Sequence, residues 1–187
     1  MELRKKGNRS VPLVSKIRIA LSGKSGAGKT ELANALCSKL GIQRCSTGDI
    51  YRQIATIVFG EVTKEDMNAL TKALRGMDPF CVLEAALRRN DNQKGVVLDS
   101  VRFKDDALHL RSLGFLLVRI ESGTTVRHTR MRSRGEVFIP SRLEADETET
   151  DIDDLDFDVI LANESSPLPL FLEEACARLL QHVGDKR

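Results

Sequence analysis

An α/β architecture, a parallel sheet flanked by helices, is the fold class predicted here, and two observations predict it. The first is Gly23-Lys24-Ser25-Gly26-Ala27-Gly28-Lys29-Thr30, a glycine-rich loop between the apolar run Ile17-Arg18-Ile19-Ala20-Leu21 and a helical pattern. The second is the alternation of strand-like and helix-like stretches from residue 17 to 183, which is how parallel strands with helical crossovers read.

The loop has the Walker A form in its required context, after a buried strand and ahead of a helix. Its glycines let the backbone curl so that successive N–H groups point at phosphate oxygens, and the helix adds the positive end of its dipole. Gly23, Ser25, Gly26, Ala27, Gly28, Lys29 and Thr30 are therefore the expected triphosphate contacts. The Lys29 ammonium can reach the outer phosphates, and the Thr30 hydroxyl can hold Mg²⁺ bridging them. ATP and Mg²⁺ are the cofactors this implies.

At 187 residues the chain has the length of one domain with a substantial core. Residues 1–12, with Arg4, Lys5, Lys6 and Arg9, read as a basic flexible tail, and 13–187 as the domain. A net charge of +2 gives no broad electrostatic surface for nucleic acid. No apolar run approaches the roughly 20 residues that span a bilayer, and the first ten residues lack the apolar stretch of a secretion signal. Cys37, Cys45, Cys81 and Cys176 are scattered, without metal-ligand or redox spacing, so a reducing, cytoplasmic compartment is expected. His109, His128 and His182 are equally unclustered and read as ordinary surface or helix residues.

Leu32, Ala33, Leu36, Cys37 and Leu40 recur at helical spacing and Gly41 follows as a C-cap. Ile42 to Cys45 reads as a second strand, leading into Thr47-Gly48-Asp49-Ile50-Tyr51-Arg52. A guanidinium there suits a phosphate dianion, since it forks onto two oxygens and stays charged. Residues 63–90 read as two helices, the first opened by a capping box with Thr63 and Asp66 and broken from the second at Gly76-Met77-Asp78-Pro79. Val96-Val97-Leu98-Asp99 is an apolar run ending in a carboxylate, the reading of a buried strand whose acid holds the water shell of Mg²⁺. Ala107 to Leu113 gives a helix, and Phe115 to Ile120 a strand.

Further on, Arg127, Arg130 and Arg134 fall at i, i+3 and i+7, along one helical face, with Arg132 elsewhere. From Glu144 to Asp158 there are nine acids and no base, which in isolation reads as a mobile solvated loop. Neutralisation of the arginines by these acids, including Glu147, Glu149 and Asp151, would hold a lid open. Phe157 to Asn163 gives the last strand and its loop, and Pro167 to Val183 the closing helix.

The Walker A loop, a helix of about ten residues, a short strand and then Thr-Gly-Asp-x-x-Arg together resemble the opening of the nucleoside monophosphate kinases, adenylate and cytidylate kinases alike. The resemblance implies a P-loop kinase with five parallel strands in the order 2-3-1-4-5, a helical acceptor-binding region over about 48–94 and a short lid over about 122–150. It places Thr47 and Gly48 against the acceptor nucleotide and Arg52 on its phosphate. Asp99-Ser100-Val101-Arg102-Phe103-Lys104-Asp105-Asp106 is similar to the Asp-x-x-Arg-Phe-x-x-Glu segment of phage-type deoxynucleoside monophosphate kinases, with Asp106 in place of the glutamate. That similarity implies Arg102 as a second arginine on the acceptor or the transferring group. The kinase resemblances also imply Arg130 and Arg134 as lid arginines and Asn163 near the donor adenine, while Thr30 and Asp99 stand at the metal on the loop and strand reading above.

The expected reaction is transfer from ATP to a nucleoside or deoxynucleoside monophosphate, with Lys29, Arg52, Arg102, Arg130 and Arg134 as catalytic residues. Two alternatives stay open. One is a small-molecule kinase of the dephospho-coenzyme A kinase type, and the other a nucleotide-responsive binding module without turnover.

Overall fold

Alternation along the central strands decides the layering. Ile19 and Leu21 pack on one side with Val97, Val118 and Ile120, whereas Ala20 packs on the other with Leu98 and Leu117. Both faces of the sheet are thus apolar and both are covered, as a parallel sheet requires. The computed structural model describes residues 17–90, 94–145, 150–164 and 167–185. The basic tail of 1–12 lies outside them.

The elements run β1 (Ile17–Ser22), α1 (Lys29–Leu40), β2 (Gln43–Cys45), α2 (Thr47–Phe59), α3 (Lys64–Met77), α4 (Cys81–Arg89) and β3 (Gly95–Val101). There follow α5 (Lys104–Ser112), β4 (Leu116–Glu121), α6 (Thr124–Ser133), α7 (Pro140–Glu144), β5 (Val159–Ala162) and α8 (Leu168–Asp185). The five strands form one sheet in the order β2-β3-β1-β4-β5, and every pairing is parallel. This is the order expected.

Leu32 and Leu36 of α1 and Phe171 and Leu179 of α8 fill the first face, while Leu83 of α4 and Leu110 of α5 fill the second. Gly41 ends α1 in the left-handed region, at φ 62°, with its N–H donating to the Cys37 carbonyl, the αL cap that glycine makes without a Cβ penalty. Among the described residues no helix is long and apolar enough to cross a membrane. The four cysteines are free.

Residues 63–90 form the two helices expected, α3 and α4, and ahead of them Thr-Gly-Asp itself opens α2. Ser46 is its N-cap, accepting from the Asp49 N–H at 3.4 Å, so Asp49 keeps its carboxylate for other partners. The capping box at α3 is present in both directions, Thr63 Oγ1 accepting from Asp66 N–H at 3.1 Å and Asp66 from Thr63 N–H at 2.9 Å. Thr63→Ala should therefore cost about 1 kcal/mol, read as a Tm lower by about 2–4 °C.

The acidic stretch is not the solvated loop its composition suggests, at least over the described residues. Ile152 is buried, and Leu155 and Phe157 pack beside it on the α5 side of the sheet. The acids on either side of them take defined donors: Asp151 accepts from the Lys104 N–H at the start of α5, and Asp158 from the Leu117 N–H, both at 2.8 Å. Interleaved apolar residues anchor the segment, and the carboxylates satisfy a helix end and a strand end. Thr148, Glu147 and Glu149 lie outside the described residues.

Candidate active site

All the sequence-predicted phosphate contacts gather at the C-terminal edge of the sheet, where open α/β sheets keep their ligand crevices. The loop after β1 must curl tightly against its neighbours, and two glycines show why. A Cβ on Gly26 (φ 81°) would lie 2.7 Å from the Arg127 carbonyl oxygen, and one on Gly28 (φ 105°) 2.6 Å from Asn163 Nδ2. Lys29 is nearly buried, and its ammonium donates to the carbonyls of Gly23 and, at 3.0 Å, Lys24. Ser25, Gly26, Gly28, Lys29 and Thr30 line a cavity of about 490 Å³ over the loop.

Across that cavity stands Asp99. The register of β3 against β1 slips where β1 passes from Ala20 to Ser22 and β3 from Leu98 to Val101. The extra residue on β3 lies over Asp99 and Ser100, a bulge that re-aims side chains at a strand end. Asp99 is only 3% exposed; its Oδ2 accepts from Arg44 Nη1, and its Oδ1 has no hydrogen-bond partner among the described residues. A buried carboxylate oxygen left unsatisfied is costly, and a hydrated divalent cation at the phosphates would satisfy it. Thr30 at the start of α1 lines the same cavity. These residues fit Mg²⁺ bound chiefly through substrate phosphates. No group of three or more His, Cys, Asp or Glu side chains that could hold a metal ion occurs among the described residues.

Arg44, which nothing in the linear sequence singled out, also faces this cavity. It pairs with Val97 in the sheet, and Val97 and Asp99 share a face of β3, so the guanidinium rises beside the carboxylate. Its second nitrogen donates to Asp49 Oδ2 at 2.8 Å, and the other Asp49 oxygen accepts from Arg52 Nη2. Burial alone would push the Arg44 pKa down; the hydrogen bond and charge of Asp99, then those of Asp49, more than offset it and hold it up.

A second cavity, of about 170 Å³, opens between α2, α3 and the end of β3. Thr47, Gly48, Arg52 and Arg102 line it. Gly48, Arg52, Ser100 and Arg102 line both cavities, so the two meet at a pair of guanidinium groups. Thr47 Oγ1 lies 3.2 Å from Ser100 Oγ.

Inside the second cavity Arg75 Nη1 donates to Asp106 Oδ1 at 2.8 Å, and its guanidinium lies over the Phe103 ring at 3.8 Å. Burial pushes the Asp106 carboxyl up in pKa, and Arg75 only partly restores it. Arg75, like Arg44, was not legible in the chain, because each acquires its meaning from a partner about 30 or 55 residues away.

The arginines of α6 divide into different roles. Arg127, on the predicted face, is 2% exposed and serves as a brace: it donates to the Ser122 and Ser25 carbonyls at 3.1 and 3.2 Å and to both Glu144 oxygens at 2.7 and 2.9 Å. Glu144 also meets His128 at 3.1 Å and Lys24 at 3.7 Å. Arg130 points at the back of the loop, toward Ser122 Oγ at 3.2 Å and Asn163 Oδ1 at 3.1 Å. Of the two expected lid arginines only Arg134 lines the phosphate cavity, paired with Glu136 at 2.8 Å and Glu31 at 3.8 Å.

Asn163, expected near the donor adenine, stands directly behind the phosphate loop. It is 1% exposed, and its Nδ2 donates to the Ala27 carbonyl at 2.8 Å while its Oδ1 accepts from Arg130. The side chain buttresses the loop from behind, with both ends of its amide already committed.

Residues 19–105 match the family model for cytidylate kinase. Among solved structures, the chain is similar to a gluconokinase from Sinorhizobium meliloti 1021, at 22% identity over 91% of this chain and 97% of that one, with a TM-score of 0.57. It is also similar to a sugar kinase from Janibacter sp. HTCC2649 (20% identity, 88% and 94% covered, TM-score 0.54). A third similarity is to shikimate kinase from Acinetobacter baumannii in complex with shikimate (13% identity, 92% and 96% covered, TM-score 0.60). Among curated proteins none matches. At such identities the structural likenesses speak for the fold, and the family model for the segment from β1 to the start of α5. The protein has the P-loop kinase fold, and the segment that carries its two cavities' shared residues is similar to cytidylate kinase.

Proposed function

We propose that the protein transfers the γ-phosphoryl group of ATP to the α-phosphate of a nucleoside monophosphate, giving ADP and a nucleoside diphosphate. The observation that carries this reading is the junction of the two cavities at Arg52 and Arg102. A guanidinium pair between a triphosphate cradle and a neighbouring pocket suits an acceptor that is itself an anion.

In this reading Lys29 exchanges the loop carbonyls for outer phosphate oxygens. Arg52 and Arg102 hold the acceptor phosphate in line, and Arg134 leaves Glu136 for the group in flight. The bond from the γ-phosphorus to its bridging oxygen breaks, a bond from the acceptor oxygen forms, and ADP leaves with the electron pair. The acceptor oxygen is already anionic, so no general base is required, and alignment with charge neutralisation supplies the rate. Mg²⁺, held by Thr30 and Asp99 when bound, would add charge neutralisation at the donor phosphates.

The Arg75–Asp106 pair favours cytosine as the acceptor's base. Two parallel N–H donors beside a carboxylate acceptor are complementary to an edge of two adjacent acceptors followed by an amino group, which cytosine offers and uracil interrupts with its N3–H. An ADP-release assay across AMP, CMP, UMP, GMP, their deoxy forms, dephospho-coenzyme A, gluconate and shikimate tests both levels. CMP or dCMP should exceed UMP in kcat/KM by about 10- to 100-fold, the worth of one good bidentate base contact. Turnover of dephospho-coenzyme A or a sugar alone would replace the reading, and ATP binding with no turnover on any acceptor would make the protein a binding module.

A further inference from the structure

Four charged groups run in a line from the floor of the phosphate cavity to the acceptor junction: Asp99, Arg44, Asp49 and Arg52. Each is joined to the next by a hydrogen-bonded ion pair. All four line the phosphate cavity, and side-chain exposure rises along the line from 3% at Asp99 through 31% and 38% to 62% at Arg52. Its inner end is fixed by burial, and its outer end is free to change partners.

We propose that Arg44 is a positioning residue for phosphoryl transfer, setting the metal-side carboxylate and the acceptor-side arginine at once. This rests on the donor and acceptor assignments just made. On the inner side, Arg44 takes Asp99 Oδ2 and leaves Oδ1 as the oxygen without a partner among the described residues. A charged partner on one oxygen fixes which way a buried carboxylate presents the other, and outer partners of this kind govern metal affinity.

On the outer side, Asp49 divides its two oxygens between Arg44 and Arg52. An acceptor phosphate arriving at Arg52 competes with only one of them. Without Arg44, both Asp49 oxygens would be available to Arg52, and the acceptor would face a stronger rival. Arginine is required because a single ammonium cannot bond two carboxylates in fixed, diverging directions.

The test uses the full chain with ADP and Mn²⁺, followed by electron paramagnetic resonance, which needs no acceptor and no turnover. Arg44→Gln should weaken Mn²⁺ binding to the ADP complex by about 10- to 100-fold and leave metal-free ADP binding unchanged. Arg44→Lys, which keeps the charge, should show a loss in the same direction; it decides the matter if the glutamine variant does not fold. In turnover, Arg44→Gln should raise the KM for the acceptor, and adding Asp49→Asn should restore that KM without restoring Mn²⁺ affinity.

Wild-type Mn²⁺ affinity in both single variants would overturn the proposal, as would an acceptor KM that Asp49→Asn leaves high. A protein that binds Mn²⁺–ADP but phosphorylates no monophosphate would sink the acceptor reading alone, leaving the metal arm decisive for Arg44. Failure of the wild type to bind Mn²⁺–ADP would remove the donor half, and this proposal with it.

Discussion

Lys29→Met is expected to lower kcat by about 10²- to 10³-fold, the usual loss when one preorganised donor to a transition-state oxygen is removed. The side chain is 9% exposed and lies curled on the Gly23 and Lys24 carbonyls. Methionine keeps its length and fills its space, so the loop should remain folded while the one ammonium in the cradle is lost. The measurement is single-turnover phosphoryl transfer under saturating ATP, with circular dichroism to confirm the fold. A variant retaining more than about a tenth of wild-type kcat would show that Lys29 contributes less than a preorganised donor should.

The second large effect is on stability. Arg127→Met removes a guanidinium with its side chain 3% exposed from Ser25, Ser122, Thr124 and Glu144. Breaking a fully buried ion pair costs about 3–5 kcal/mol. The Glu144 side chain is 30% exposed, so water recovers part of the penalty and about 2 kcal/mol is expected. In a domain of this size that lowers Tm by about 4–8 °C. Arg134→Ala, whose partners are exposed, should stay within about 0.5 kcal/mol, although both arginines sit on the face that the sequence treats as one set.

The pH dependence has a definite sign. Burial would raise the Glu144 pKa, but Arg127, His128 and Lys24 together hold it below the usual carboxylate range. Its contribution is therefore present above the unfolded carboxylate pKa and lost as pH falls through the lowered folded value. The Tm difference between wild type and Arg127→Met should narrow in acid and be constant near neutrality. A difference that persists undiminished at low pH would assign the stability to the carbonyl contacts of Arg127 rather than to Glu144.

The phosphate loop was legible from its own spacing, since a glycine-rich turn between a strand and a helix is oriented by its own neighbours. The strand order came from the family resemblance and is the one observed, and Thr47, Gly48, Arg52 and Arg102, singled out by the same resemblance, line one cavity. Three side chains take partners that the linear sequence did not show. Arg127 and Arg130 share the helical face that Arg134 continues, but α6 packs against the back of the loop, so its buried turns become braces and only its exposed end reaches the cavity. Asn163 does close the last strand, yet the contact distance at Gly28 leaves its amide no direction except into the loop. The acidic stretch was misjudged because composition counts charges and ignores Ile152, Leu155 and Phe157 spaced among them.

The sequence by itself determined the phosphate-binding loop, because Gly23 to Thr30 is written in residues close along the chain. Tertiary structure alone decided which carboxylate each cation serves. Arg44 meets Asp99 only because β2 lies beside β3 in that register, and Arg75 meets Asp106 only because α3 folds back over the start of α5. Pairings across 55 and 31 residues leave no periodic trace, since the energy that makes them is Coulombic and depends on distance in space, whereas sequence patterns record only which face of an element is apolar.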